Sequence, residues 1–161
     1  MNALITHMQK LGTLLDLIRP SFVQTAALCW RPGVTGPEVL LVKTMRRGHW
    51  IIPKGWPMKN KSLAEAAAIE AWEEAGVTGQ IGTDPIGKFT YTKIKKSGLP
   101  VQCTPQVYPL KVTQTHDDYP EAKQRTRCWF SLHDATNAVH NRELKALLAS
   151  MPLSDDISSV K

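Results

Sequence analysis

The sequence predicts an α+β fold, an α/β/α sandwich around a mixed central sheet. Three observations carry that expectation. β-rich segments flank one alanine-rich helical stretch, clusters of Gly and Pro punctuate them, and a second helical pattern closes the chain. A length of 161 residues suits one domain with one core.

In the first twenty residues Leu4, Ile5, Met8, Leu11, Leu14, Leu15, Leu17 and Ile18 recur at helical spacing, and Pro20 ends the pattern. This predicts an amphipathic helix over residues 1–20, packed on the domain or on a second copy of the chain, which would make a homodimer. An organellar presequence and a membrane-surface helix are the alternatives. His7, Gln9, Lys10 and Asp16 interrupt the apolar run, so it does not read as a secretory signal. The domain itself is expected over 21–151, with strands at Ser21 to Trp30, Val39 to Val42 and Trp50 to Ile52. Pro32, Gly33, Gly36 and Pro37 turn the chain between the first two, and Pro53 closes the third.

From Ser62 to Ala75 the composition changes to six alanines with no Gly or Pro, which is strong helix composition. Ser62 with Glu65 three residues on is a capping box, and Gly76 suits the left-handed position after a helix. Strands are expected again at Ile86 to Thr92, Val107 to Thr113 and Arg127 to Ser131, with Lys95 to Gly98 as a loop. A helix is predicted from His133 to about Met151, and 152–161 reads as a frayed polar tail.

With 42% apolar and 21% charged residues, the composition is that of a folded chain without a membrane-spanning run. Twenty Lys and Arg against fourteen Asp and Glu give a net charge of +6, pointing to anionic partners. Cys29, Cys103 and Cys128 lie far apart and form no C-x-x-C pair, the usage of a reducing, cytoplasmic compartment.

The central helix carries the chemistry. Glu70, Glu73 and Glu74 stand at i, i+3 and i+4 and share one face, together with Leu63, Ala66 and Ala67. No Lys or Arg lies in this helix, and each like-charge pair costs ~0.2–0.5 kcal/mol. An isolated E-x-x-E-E is more often a solvated acidic face. Here it follows a segment from Val39 to Lys61 that holds Lys43, Arg46, Arg47, Lys54, Lys59 and Lys61 and no acid. A second basic group comprises Lys88, Lys93, Lys95 and Lys96. Carboxylates able to share a hard divalent cation, beside cations able to hold phosphate, are what phosphate chemistry requires.

Gly55 followed at the right distance by Glu70-Ala71-Trp72-Glu73-Glu74-Ala75-Gly76-Val77 resembles the Nudix box, G-x5-E-x7-R-E-U-x-E-E-x-G-U with U aliphatic. Trp50 to Gly55 is similar to the family's strand entering the box. Val107 to Leu110 and Arg127 to Ser131 resemble the branch that hydrolyses diphosphoinositol polyphosphates and diadenosine polyphosphates. The resemblance covers roughly residues 22 to 150 and implies a Nudix hydrolase domain of α/β/α type. It implies Mg2+ or Mn2+ held by Glu70, Glu73, Glu74 and the Gly55 carbonyl, with Glu73 and Glu74 as the catalytic pair and Glu73 the first choice of base. Arg46, Arg47, Lys54, Lys93, Lys95 and Lys96 are the expected phosphate contacts.

Two box positions depart from the family pattern: Lys61 replaces its first glutamate and Ile69 its arginine. In the family that arginine orients a box glutamate, and Lys54 or Lys61 is the expected replacement. Asp117, Asp118 and Glu121 offer further acids, though D-D-Y-P-E reads first as a turn. The expected activity is metal-dependent hydrolysis of a phosphoanhydride bond in a nucleoside or inositol polyphosphate by water attack, on a phosphorylated small molecule. The alternative is a catalytically weak binder of nucleotides or phosphorylated RNA ends. Nucleic acid is otherwise not an expected partner, because no helix-turn-helix, zinc-finger spacing or stacking motif is present.

Overall fold

Seven consecutive buried residues, Gln24 to Trp30, make β1 (Ser21–Gly33) the centre of the sheet. A strand covered on both faces needs partners on both edges. One edge pairs antiparallel with β2 (Gly36–Lys43), placing Trp30 opposite Val39. The other pairs parallel with β8 (Pro100–Thr115), in a continuous register from Ser21 opposite Gln102 to Trp30 opposite Lys111. With β3 (Trp50–Ile51) and β5 (Val77–Ile81) outside them, the order is β3-β2-β1-β8-β5. Short strands complete this mixed sheet: β4 (Lys54–Gly55) on β1, β6 (Gly87–Lys88) and β7 (Tyr91–Ile94) on β8, and β9 (Arg127–Ser131) on β2. The computed structural model describes residues 21–151, so the helix expected over 1–20 and the tail over 152–161 lie outside the described residues.

Helix α1 (Leu63–Ala75) begins and ends where its caps dictate. The Ser62 hydroxyl accepts the Glu65 amide at 3.1 Å, the Glu65 carboxylate accepts the Ser62 amide at 2.7 Å, and Gly76 adopts a left-handed φ of 64°. Its buried side is made of Ala64, Ala66, Ala67, Ala71 and Ala75, small enough to bring the helix close to the sheet. The Thr25 hydroxyl donates to the Leu63 carbonyl at 2.6 Å and ties the first turn to β1. Among the described residues, three helices on a mixed sheet make the α+β sandwich expected from the element order.

The predicted C-terminal helix is two helices, α2 (Leu132–Ala138) and α3 (Arg142–Ala149). Val139 is extended and bridges to Trp50, while the Asn141 side chain caps the Leu144 amide and donates to the Thr90 carbonyl at 2.8 Å. Satisfying those polar groups breaks the helical run. The expected strand Ile86 to Thr92 divides into β6 and β7, and β8 starts at Pro100, well before Val107. β5 and the two-residue β4 were not anticipated; both owe their pairing to neighbours distant in sequence. Cys29 and Cys103 are buried and Cys128 is exposed, all three as free thiols. No described helix is long and apolar enough to cross a membrane.

Candidate active site

Strand β4 leads the chain out of the sheet directly beneath α1. A Cβ at Gly55 would lie 1.8 Å from Glu70 Oε1, so any other residue here would have to push this carboxylate aside. One turn further along α1, Glu74 is 6% exposed. Its Oε2 accepts the Lys54 amide at 3.3 Å and its Oε1 accepts Arg125 Nη2 at 2.8 Å. Arg125 also donates through Nε to the Glu121 carboxylate and through Nη1 to the Lys43 carbonyl at 3.1 Å. The backbone joins the same pieces, the Glu121 amide donating to the Glu73 carbonyl at 3.0 Å.

A cavity of about 1040 Å³ opens over this floor and is lined there by Gln24, Lys54, Gly55, Glu74 and Arg125. One wall is the turn between β2 and β3, closed by the Thr44 amide on the His49 carbonyl at 2.8 Å and by the Gly48 amide on the Thr44 carbonyl at 2.9 Å. This wall contributes Arg46, Arg47 and His49. The opposite wall is Thr90 to Ile94 with Lys93. His140 and Asn141, from the break between α2 and α3, close the rim, where His49 and His140 stack at 4.2 Å between ring centroids. Among the described residues no carboxylate lies within ion-pair distance of Arg46, Arg47 or Lys93.

The floor's electrostatics follow from burial. Desolvation, with the charges of Glu74, Glu73 and Glu121 added, pushes the Glu70 carboxyl up to about 7; Lys54 offsets this only in part. Burial also raises Glu74, against the opposing pull of Arg125 and Lys54. Lys54 is held below the usual lysine range by burial, with Glu74 acting the other way. Its ammonium lies 4.6 Å from the centre of the Tyr91 ring.

The sequence-predicted residues therefore divide. Gly55, Glu74, Arg46, Arg47, Lys54 and Lys93 line one cavity, and Glu70 rests against its Gly55 edge. Glu70, Glu73, Lys95 and Lys96 are not among the lining groups; Lys95 instead stands 5.4 Å over the Phe22 ring. Lys61 is exposed near Glu65, so it cannot stand in for the box arginine. Lys54 meets Glu74 through its backbone amide, and the guanidinium on Glu74 comes from Arg125 instead. Residues 117–124 are bends and turns, as D-D-Y-P-E predicts, and Asp117 pairs with Arg127 at 2.9 Å. Arg125, His49 and His140 escaped sequence reasoning. The i,i+4 spacing of Glu121 and Arg125 was a visible signal for the first.

A mixed-sheet domain with a carboxylate-bearing helix under a cationic cavity is the class that these features define. The chain belongs to the NUDIX domain family, whose domain matches residues 24–149. It is 35% identical over 126 residues to Nudix hydrolase 4 of Arabidopsis thaliana, covering 76% of this chain and 59% of the relative. It is 34% identical over 119 residues to diphosphoinositol polyphosphate phosphohydrolase 3-beta of Homo sapiens, covering 72% and 68%. The chain spans about half the length of several plant relatives, 54% of Nudix hydrolase 21 and 50% of Nudix hydrolase 12. Among solved structures, the Ap4A hydrolase of C. elegans superposes with a TM-score of 0.56 at 24% identity, covering 81% of this chain and 95% of that one. The NUDIX domain of Shewanella oneidensis NrtR, complexed with ADP ribose, gives 0.57 at 15% identity, covering 83% and 89%. These two likenesses concern the fold.

Proposed function

We propose that this protein is a divalent-metal-dependent pyrophosphohydrolase that cleaves a phosphoanhydride bond of a nucleoside or inositol polyphosphate by water attack. One observation carries the reading: Glu74 of α1 and Gly55, with Glu70 resting against Gly55, lie at the floor of a cavity whose walls present Arg46, Arg47 and Lys93. The similarity to diphosphoinositol polyphosphate phosphohydrolases supports the substrate class.

The floor suits Mg2+ or Mn2+. Its donors are hard oxygens, and the absence of a side chain at position 55 lets Glu70 approach the backbone there closely. Glu70 is surrounded by other carboxylates and burial, which is the setting that a cation relieves. Among the described residues no three His, Cys, Asp or Glu side chains form a cage by themselves. Glu70, Glu74 and the Gly55 carbonyl would hold the ion from one side, leaving other positions to water and substrate phosphate. Bound there, it supplies Lewis-acid stabilisation of phosphoryl oxygens and a more acidic water.

The chain's own residues do the rest. Arg46, Arg47 and Lys93 bind and orient the phosphate chain, and Lys54 adds positive charge at the floor. Glu70, whose carboxylate touches the cavity-lining Gly55, is our choice over Glu73 to take the proton of the attacking water. The second reading is a weak catalyst that binds nucleotides or phosphorylated RNA ends, favoured by Lys61 and Ile69 at two box positions. A panel of diadenosine polyphosphates, inositol pyrophosphates and ADP-ribose, assayed with Mg2+ and Mn2+, separates the two. Turnover of a polyphosphate supports the enzyme; calorimetric binding without turnover of any panel member rejects it.

A further inference from the structure

We infer that Arg125 is the positioning residue of this site, an internal strut that sets the Glu74 carboxylate, and not a phosphate contact, although it lines the cavity. The inference rests on the metal-dependent reading above.

Each guanidinium nitrogen is already committed: Nη2 to Glu74 at 2.8 Å, Nη1 to the Lys43 carbonyl at 3.1 Å and Nε to Glu121. The side chain is 12% exposed and that of Glu74 is 7% exposed. An arginine so engaged has three of its five N–H donors committed to the protein, whereas Arg46, Arg47 and Lys93 have no carboxylate partner among the described residues. The three acceptors belong to α1, to the end of β2 and to the turn segment before β9, so the guanidinium plane is fixed from three directions. Helix α1 contains no Lys or Arg of its own, and Ile69 cannot provide a charge.

Arg125 acts through the atoms it holds. Its bond to Oε1 and the Lys54 amide on Oε2 together fix the plane of the Glu74 carboxylate. The next residue after Lys54 is Gly55, against which Glu70 rests. A Glu74 that swings away therefore releases the Lys54 amide and loosens the Gly55 edge. Arg127, two residues on, grips the Ala75 and His116 carbonyls and Asp117 without reaching Glu74, and so provides a matched structural control.

The experiment compares Arg125→Gln, Arg125→Lys and Arg127→Lys with the wild type. It measures kcat and KM separately, and hydrogen exchange at the Lys54 amide without substrate. For Arg125→Gln, kcat is expected to fall ~10–100-fold, the scale of losing an outer partner of a site carboxylate, with KM changed less than about threefold. Lys54 amide exchange should quicken at least ~10-fold. Arg125→Lys, which keeps one bond at most to Glu74, should fall between. Arg127→Lys should lower Tm yet leave kcat and the Lys54 amide as in the wild type. A raised KM with kcat retained would make Arg125 a substrate contact, and equal losses in Arg127→Lys would make it a general fold support; either overturns the inference. If the wild type turns over no substrate, the proposed function fails by itself. The Lys54 amide still reports on Arg125, and unchanged exchange in the variants overturns its positioning role.

Discussion

The floor and the walls of the cavity are built on opposite principles. On the floor, Glu74, Arg125 and Lys54 come from a helix, the segment before β9 and a strand; Glu74 and Arg125 are mostly buried, and Glu74 takes a hydrogen bond from each of the other two. On the walls, Arg46 and Arg47 sit exposed on a tight turn held by its own backbone and the Thr44 hydroxyl, with no carboxylate within ion-pair distance among the described residues. A buried charge stripped of its partner costs several kcal/mol, so the floor is committed to one geometry. Exposed charges without partners cost almost nothing to fold and remain available to a ligand. On the proposed function, geometry resides in the first region and affinity in the second.

If that division is right, substitutions on the floor should reduce kcat and those on the walls should raise KM. The largest effect is expected from Glu70→Gln, which keeps the shape and removes the charge. Steady-state assays should show a loss of ~10²–10⁴-fold in rate if the carboxylate takes a proton in the transition state. A loss below about threefold would remove Glu70 from the chemistry. Gly55→Ala comes next. The added Cβ must push Glu70 aside, and a misplacement near 1 Å costs ~10²-fold in rate, with a fall in Tm measurable by calorimetry. An active Gly55→Ala would show that Glu70 does not need this edge.

On the walls, Arg46→Ala with Arg47→Ala should raise KM about 10-fold or more and weaken its dependence on salt, at unchanged Tm. A loss confined to kcat would erase the contrast between the regions. The smallest effect concerns pH. Because the folded protein holds Glu70 near 7, above the ordinary carboxyl value of 4.5, its protonated form is favoured by the fold. The stability this contributes is complete at acid pH and is lost as pH rises through about 7. Without divalent ions, Tm should therefore decline between about pH 5 and 8, and Glu70→Gln should flatten that decline. Millimolar Mg2+ added at pH 8 should raise Tm of the wild type and not of the variant. A Tm that climbs over this range would contradict the electrostatics of the floor.

What the sequence by itself determined is whatever depends on neighbours within one helical turn. Ser62, Glu65 and Gly76 marked the ends of α1 through bonds that span three or four residues, and Glu70, Glu73 and Glu74 had to share a face because helical spacing is fixed. β9 ended where Arg127 to Ser131 said it would. Only tertiary structure decided which of those acids reaches the cavity and which cation meets it. Arg125 lies 51 residues from Glu74, and His140 stacks on a histidine from the far side of the sheet sequence. The break before Asn141 serves a carbonyl at Thr90, again 51 residues away. Local hydrogen bonds are written in residue spacing, whereas a buried ion pair is chosen by whichever charge the folded chain carries past it.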